Sequence, residues 1–521
     1  MRLFTFTCLA IILSFTLAMP AFGQEEAKGA NDTKKAEAGD QVKTAKLTKE
    51  DIAAFEPLLI KYLNAEKSDD KINFQGVLLK AMEDYSEKNK VSSPVADVEA
   101  WLGMFGRHNA VSLGKRKVYG TGRIKTEEFT LSSKGEHLLY EYSIYVPKDY
   151  DPAKSWPVLL CLHDKEAKDL GKSYIKKVWH GTKESKALCD QFIMIVPHIP
   201  NKLPRKKVKV VIGGKKTSVK TSSKKIDWFN SYHLRSMVLP LHELRKTYNC
   251  DPTRIFIEGV GEGADAALAL AAMTPGRFAG VIARHGKLRD PKLIKGLQFT
   301  PTLFMMRDGG IFSEGAGAES WKMIEEESKG ETKYTSLQVE TFPTLGKNKK
   351  PTLKMLANQA TDPILEANGM IAEFLTKHSM DPAPKEIRIT SNNRIFRSHA
   401  LLKVTEHDIA EGKILDCRAK FDREKNTVEL TGENFYRVSL FLNDTVLDLS
   451  KPIQILVNGR QVDARVPDRS AKRMLRTFDK SRTDFHRALT SLIVVPRFSL
   501  EAEKKDDKEK KDDAKSDDAK K

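Results

Sequence analysis

Between Arg254 and Gly286 the sequence RIFIEGVGEGADAALALAAMTPGRFAGVIARHG leads an apolar strand through alternating glycines into a helix of small residues. Ile255 to Ile257 form the strand, Gly259-Val260-Gly261-Glu262-Gly263 the turn, and Ala264 to Met273 the helix. Glycine at every second turn position permits left-handed backbone and close approach of neighbouring chain, which other residues resist. A short apolar strand that turns this sharply into a helix belongs in a layered α/β sheet.

The flanking sequence supplies the rest of such a sheet. Strands are expected at Lys125 to Leu131, Leu138 to Val146, Val158 to His163, Phe192 to Val196, Arg254 to Glu258, Gly280 to Ala283, Thr302 to Met306 and Ser336 to Phe342. The first two alternate as an antiparallel hairpin should, and the inner ones are short continuous apolar runs, as in parallel strands buried on both faces. Helices are expected between them at Lys172 to Cys189, Phe229 to Tyr248, Gly263 to Met273, Glu319 to Glu327 and Pro363 to Lys377. This places an α/β domain at 117–380. Before it, residues 46–116 read as a small helical segment: Thr48-Lys49-Glu50-Asp51 opens like a cap, and Ile52, Phe55, Leu58, Leu59 and Tyr62 share one face. Further helices are expected at Gln75 to Lys88 and Pro94 to Phe105. After it, residues 385–498 change to short strands, with Asn458-Gly459 as a type I′ turn signal, and read as a β sandwich or small barrel.

Residues 1–23 carry the marks of a secretory signal peptide: Arg2, the apolar run Leu3 to Leu17, and Ala21-Phe22-Gly23 as a small-x-small cleavage site. The expected destination is therefore the periplasm or the exterior, with no integral membrane segment after cleavage. Residues 24–45 read as a linker and 499–521 as a disordered charged tail, since neither holds enough apolar surface to offset ordering. Cys161, Cys189, Cys250 and Cys417 are widely spaced, so neither a disulfide framework nor a cysteine zinc site is expected. The net charge of +18 is concentrated in part at 202–225, where ten residues are Lys or Arg and none is acidic. A protruding hairpin is expected there, either a solvated surface or a polyanion contact. No nucleic-acid-binding module accompanies it, and no DNA partner is expected.

Tyr142 to Asp164 (YSIYVPKDYDPAKSWPVLLCLHD), Asp251-Pro252-Thr253-Arg254 and Thr274 to Gly280 (TPGRFAG) stand in order around the glycine turn. These blocks resemble the α/β-hydrolase superfamily, and among its members exported bacterial esterases and prolyl-oligopeptidase-like peptidases. The resemblance covers about half the chain. It implies an α/β-hydrolase-like, mostly parallel eight-stranded sheet with a nucleophile elbow after the fifth strand. In that family the elbow reads G-x-S-x-G and the serine is the nucleophile. Here the matching residues are Gly259, Gly261, Glu262 and Gly263, with glycine at the nucleophile position. The resemblance also implies a base histidine after the eighth strand, where FPTLGKNKKP (342–351) stands, and an acid after the seventh, where only Asp308 lies near. In place of the oxyanion loop stands His163-Asp164-Lys165-Glu166, whose carboxylates repel a forming oxyanion.

Acyl transfer needs nucleophile, base, orienting acid and oxyanion donors together. With no catalytic residue in any of those positions, the chain reads first as a pseudohydrolase that binds or scaffolds a small-molecule or polymeric ligand, without cofactor or metal. Its candidate cleft residues are His163, Asp164, His198, His285 and Asp308. A second reading is an active ester or peptide hydrolase in which these groups and Glu262 act from new positions, as ligands of a metal or otherwise. A third gives the function to the β-rich domain as a cell-envelope or glycan binder; because no Trp lies beyond Trp321, a sugar-stacking platform is less well supported than packing.

Overall fold

The computed structural model describes residues 44–498, apart from 66, 115–119, 134–135, 165–169, 199–204, 213–214, 223–227, 230, 287, 308–336, 343–367, 411 and 481–486. The expected signal peptide, most of the expected linker, the expected disordered tail, Asp308, the segment 343–351 and the helix expected at 319–327 lie outside the described residues.

Three helices come first: α1 (Lys49–Asn64), α2 (Ser68–Asn89) and α3 (Val98–Gly114). Thr48 and Asp51 form the capping box that starts α1. Helix α2 begins at Ser68 rather than Gln75, because Asp69 and Asp70 in its first turn complement the positive end of the helix dipole.

The central sheet is built from β1 (Ile124–Ser133), β2 (Glu136–Tyr145), β3 (Trp156–Leu162) and β4 (Ile193–Pro197), with β5 (Lys207–Ile212) and β6 (Lys215–Lys220) set aside as a separate ribbon. It continues with β7 (Cys250–Val260), β8 (Gly280–Arg284), β9 (Thr302–Arg307) and β10 (Leu337–Phe342). The order is β1-β2-β4-β3-β7-β8-β9-β10. Strand β2 runs against β1 and β4 while every other neighbour pair is parallel, so the sheet is mixed. The helices associated with it are α4 (Leu170–Tyr174), α5 (Lys183–Cys189), α6 (Ser231–Thr247), α7 (Glu262–Met273) and α8 (Asn368–Lys377).

Alternation along β7 explains how both faces are buried. Ile255 and Ile257 join a core containing α7 and α6 residues such as Leu268 and Leu241. Phe256 points the other way, into a core with Trp179, Cys189 and Phe374. Burying a strand on both faces needs a continuous apolar run, which is what the sequence has there.

The β-rich region is a sandwich rather than a barrel. Strands β11 (Glu386–Ser391), β12 (Leu402–His407), β13 (Leu415–Asp422), β14 (Thr427–Glu433), β15 (Phe435–Leu442), β16 (Ile453–Val457), β17 (Arg460–Arg465) and β18 (Ser491–Val494) divide between two sheets. One has the order β11-β13-β14-β16-β17 and the other β12-β15-β18, and both contribute to one apolar core. The sandwich is docked on the α/β domain: Arg388 pairs with Asp416 at 2.7 Å and also donates to Gln298 at 3.0 Å.

Within this region, expected to be β-rich, lies one more helix, α9 (Ala471–Lys480). Met474, Leu475 and Phe478 face the N-terminal helices and join Phe55, Leu59, Trp101 and Phe105 in one cluster. The rings of Phe105 and Phe478 stack with centroids 4.5 Å apart. The first helices are therefore not a free-standing prelude, because their core is completed from the other end of the chain. All four described cysteines are buried and free. No helix among the described residues is long and apolar enough to cross a membrane.

Phe478→Ala removes a fully buried aromatic ring from this shared core and is expected to cost about 3–5 kcal/mol. Chemical denaturation checks it, with the loss appearing in whichever transition unfolds α1 to α3. An unchanged midpoint would mean that α9 contributes nothing to their stability.

Candidate functional site

The turn after β7 is closed by contacts that leave no room for side chains. A Cβ on Gly259 would overlap the Gly263 carbonyl, and one on Gly263 would overlap the backbone of Leu162 at the end of β3. Gly261 sits between them at φ 56° and ψ −125°. Its amide donates to the Arg284 carbonyl at 2.9 Å, and its carbonyl accepts from the Ala264 amide at 3.0 Å, which starts α7. A residue other than glycine holds such backbone only at a cost of about 1–3 kcal/mol.

The direction in which an elbow side chain would project leads to the end of the Asp164 side chain. A Cβ on Gly261 would lie 2.7 Å from Oδ2 of Asp164. The sequence places Asp164 in an oxyanion-type loop; the structure sets its carboxylate directly against the nucleophile position.

Beside it, His163 is fully buried, edge-on to Trp228 with ring centres 5.5 Å apart. Its Nδ1 lies 2.7 Å from the Asp164 carbonyl. A carbonyl only accepts, so Nδ1 carries the proton and the ring is held in that tautomer. Burial lowers its pKa to about 4, and the nearby His198 adds to the shift. His198 is itself lowered to about 4 by burial and lies with Nε2 2.8 Å from the Ser143 hydroxyl, both on the β2–β4 side. Both rings are therefore neutral at pH 7, and their burial stabilises the fold above the ordinary histidine pKa of about 6.5. That contribution is lost as pH falls from there toward 4.

The remaining described candidates have contacts of their own. Glu262 opens α7 and faces Arg289 at 3.4 Å, which also reaches Asp265 at 3.6 Å and covers the Phe229 ring at 3.7 Å. His285 follows β8 with φ 56°, and its amide donates to the Met305 carbonyl at 3.0 Å. Asp308 lies outside the described residues. Among the described residues no three His, Cys, Asp or Glu side chains are grouped so as to hold a metal ion.

Two features escaped the sequence reading. The first is a buried ion pair: Glu258 of β7 and Arg284 of β8 are both fully buried, with Oε1 and Nε 3.0 Å apart. Tyr174 donates to the same carboxylate at 2.7 Å, and the guanidinium lies 5.3 Å from the Trp179 ring centre. Burial, with the Glu258 charge adding, pushes the Tyr174 phenol and the Cys161 thiol well up, so both stay protonated. The signal was present as single charges inside the apolar runs RIFIEGV and GVIARHG, which become diagonal neighbours across the β7–β8 pair.

The second is a cavity of about 390 Å³ at the seam between the α/β domain and the sandwich. Phe229, Asp290 and Lys292 line one side, and Asn392, Gly412 and Lys413 the other. Asp290 is committed inside the wall, accepting from the Lys292 amide at 3.2 Å and from Asn392 Nδ2 at 2.9 Å. A cavity of this size falls in the range of small-ligand sites, about 300–1,000 Å³. Its lining includes none of His163, Asp164, His198 or His285. No local sequence pattern could have announced it, because its walls come from segments around Phe229, Asp290 and Asn392 that are far apart in the sequence.

No protein-family model matches the chain, and no curated protein matches it. Solved structures similar to it include a thermostable esterase, at 17% identity and TM-score 0.35 over 49% of this chain. The match spans 63% of that esterase's own length. An S-formylglutathione hydrolase from Agrobacterium tumefaciens is similar at 13% identity and TM-score 0.34, over 50% of this chain and 98% of that one. A ferulic acid esterase from Anaeromyces mucronatus is similar at 12% identity and TM-score 0.31, over 50% and 96%.

Gly261→Ser is expected to destabilise the protein, because the new Cβ meets Asp164 in a backbone conformation that only glycine adopts freely. Adding Asp164→Ala should recover part of the loss, with a coupling of about 0.5–3 kcal/mol as for residues in contact. A double-mutant cycle by chemical denaturation measures it. Strict additivity would mean that the carboxylate does not occupy that space.

Proposed function

We propose that this chain is an exported, catalytically silent binding protein built on a hydrolase-like frame. The observation that carries the reading is Gly261, a backbone turn of the right shape whose side-chain direction is filled by the Asp164 carboxylate. A carboxylate there gives a negative field where acyl transfer develops negative charge, which opposes the reaction. The imidazole of His163, next to Asp164, is neutral and bonded through Nδ1 to the Asp164 carbonyl, in support of a structural role. Export rests on the leader-like residues 1–23.

For the ligand, the proposed place is the seam cavity. Its walls combine the Phe229 ring with polar groups that already bond one another, Asn392 to Asp290 and Lys292 to the Gly412 carbonyl, and a small polar molecule is the ligand class proposed for it. The sandwich then acts as half of a binding site.

The purified protein is expected to hydrolyse p-nitrophenyl acetate and butyrate no faster than buffer. Turnover that co-purifies with the protein and is lost in His285→Gln or Asp308→Asn would overturn this reading in favour of a relocated hydrolase.

A further inference from the structure

The ribbon of β5 and β6 stands outside the central sheet and is fixed at its base. The Lys206 amide donates to Thr221 Oγ1 at 2.7 Å, the Thr221 amide returns a bond to the Lys206 carbonyl at 2.8 Å, and the Ser222 amide donates to the His137 carbonyl at 2.8 Å. The register pairs Lys207 with Lys220, Lys209 with Ser218 and Val211 with Lys216, and directly opposed residues share a face. One face therefore carries Lys207, Lys209, Lys216 and Lys220, all exposed. The other carries Val208, Val219 and Val210, the last only 1% exposed, so that side lies on the protein body.

The charges on the outer face are not matched. The nearby acids Glu128 and Glu141 are engaged at the base by Lys206, at 2.7 and 3.7 Å. Among the described residues none of the four outer lysines forms an ion pair. Lys207 and Lys220 oppose each other directly, an arrangement that works against strand pairing. A ribbon that keeps this repulsion on a rigid, outward face is stabilised when a polyanion lies across it.

We propose that this face binds an acidic polysaccharide. Lys207 and Lys209 lie about 6.6–6.8 Å apart along their strand and Lys207 opposes Lys220 across the ribbon at about 5 Å, with Lys216 further along the same face, a spacing suited to closely set sulfate or carboxylate groups. Residues 205–222 contain no aromatic side chain, so the ribbon offers neither a base-stacking platform nor a wedge for a membrane interface. This inference is independent of whether the elbow is catalytic.

The test compares the full chain with Lys207→Ala/Lys209→Ala/Lys216→Ala/Lys220→Ala, using heparin as the probe. A charge-matched control carries Lys61→Ala/Lys67→Ala/Lys80→Ala/Lys88→Ala on and beside the first two helices. The wild type and the control should bind heparin alike. The ribbon variant should melt no lower than wild type, and its slope of log affinity against log salt should be shallower by about 3–4, roughly one counterion per lysine. The smaller variant Lys207→Ala/Lys220→Ala should lose about half of that difference. Equal loss in the control would reduce the effect to net charge and overturn the proposal. So would tighter binding of wild type to duplex DNA, or to equimolar phosphatidylglycerol–phosphatidylcholine vesicles, than to heparin.

Discussion

The fold depends on a close approach of backbone to backbone at the end of β7. Gly259 lies against the start of α7, and Gly263 lies against the end of β3, with no space for a Cβ at either position. That contact allows a strand in the middle of the sheet to reverse into a buried helix within a few residues. It also brings the loop after β3 over the turn, and so sets Asp164 against Gly261. The spacing of glycines that makes the turn possible is thus also what fixes the chemistry of its surroundings.

Beneath the turn, on the face of the sheet that carries Phe256, the Glu258–Arg284 pair ties β7 to β8 in a fully buried setting. Such pairs rarely add stability over a well-packed apolar core, but losing one partner leaves an uncompensated buried charge and costs about 3–5 kcal/mol. Neither residue has a solvent path that would let it act on a ligand. The pair is a constraint on strand register, with Tyr174 bridging it to the helical layer, and it fits a frame held for shape.

Much of the architecture was legible because it follows from local patterning. The glycine turn, the apolar inner strands and the capping box at Thr48 each express a rule that operates over a few residues. The helix α9 was missed because it is short and charged, and only Met474, Leu475 and Phe478 reveal its apolar side; its partners Phe105 and Trp101 lie at the far end of the sequence. The position of Asp164 and the seam cavity depend on how distant segments meet, which no periodicity encodes. His163 and His198 read as cleft residues by sequence position, yet burial and specific hydrogen bonds make them neutral groups at the carboxyl ends of β3 and β4. Of the site residues the elbow was legible in the sequence, and its surroundings were not.

In the proposed function no side chain at this elbow acts as a nucleophile. Intact-mass spectrometry after incubation with a fluorophosphonate tests it directly, on the wild type and on Gly261→Ser. An unmodified mass for both is predicted, because serine needs a base able to take its proton and the Asp164 carboxylate it meets is a weak one. A stoichiometric adduct on the wild type would contradict the account outright. An adduct confined to Gly261→Ser would show that a working base already faces the elbow and that only the hydroxyl is missing.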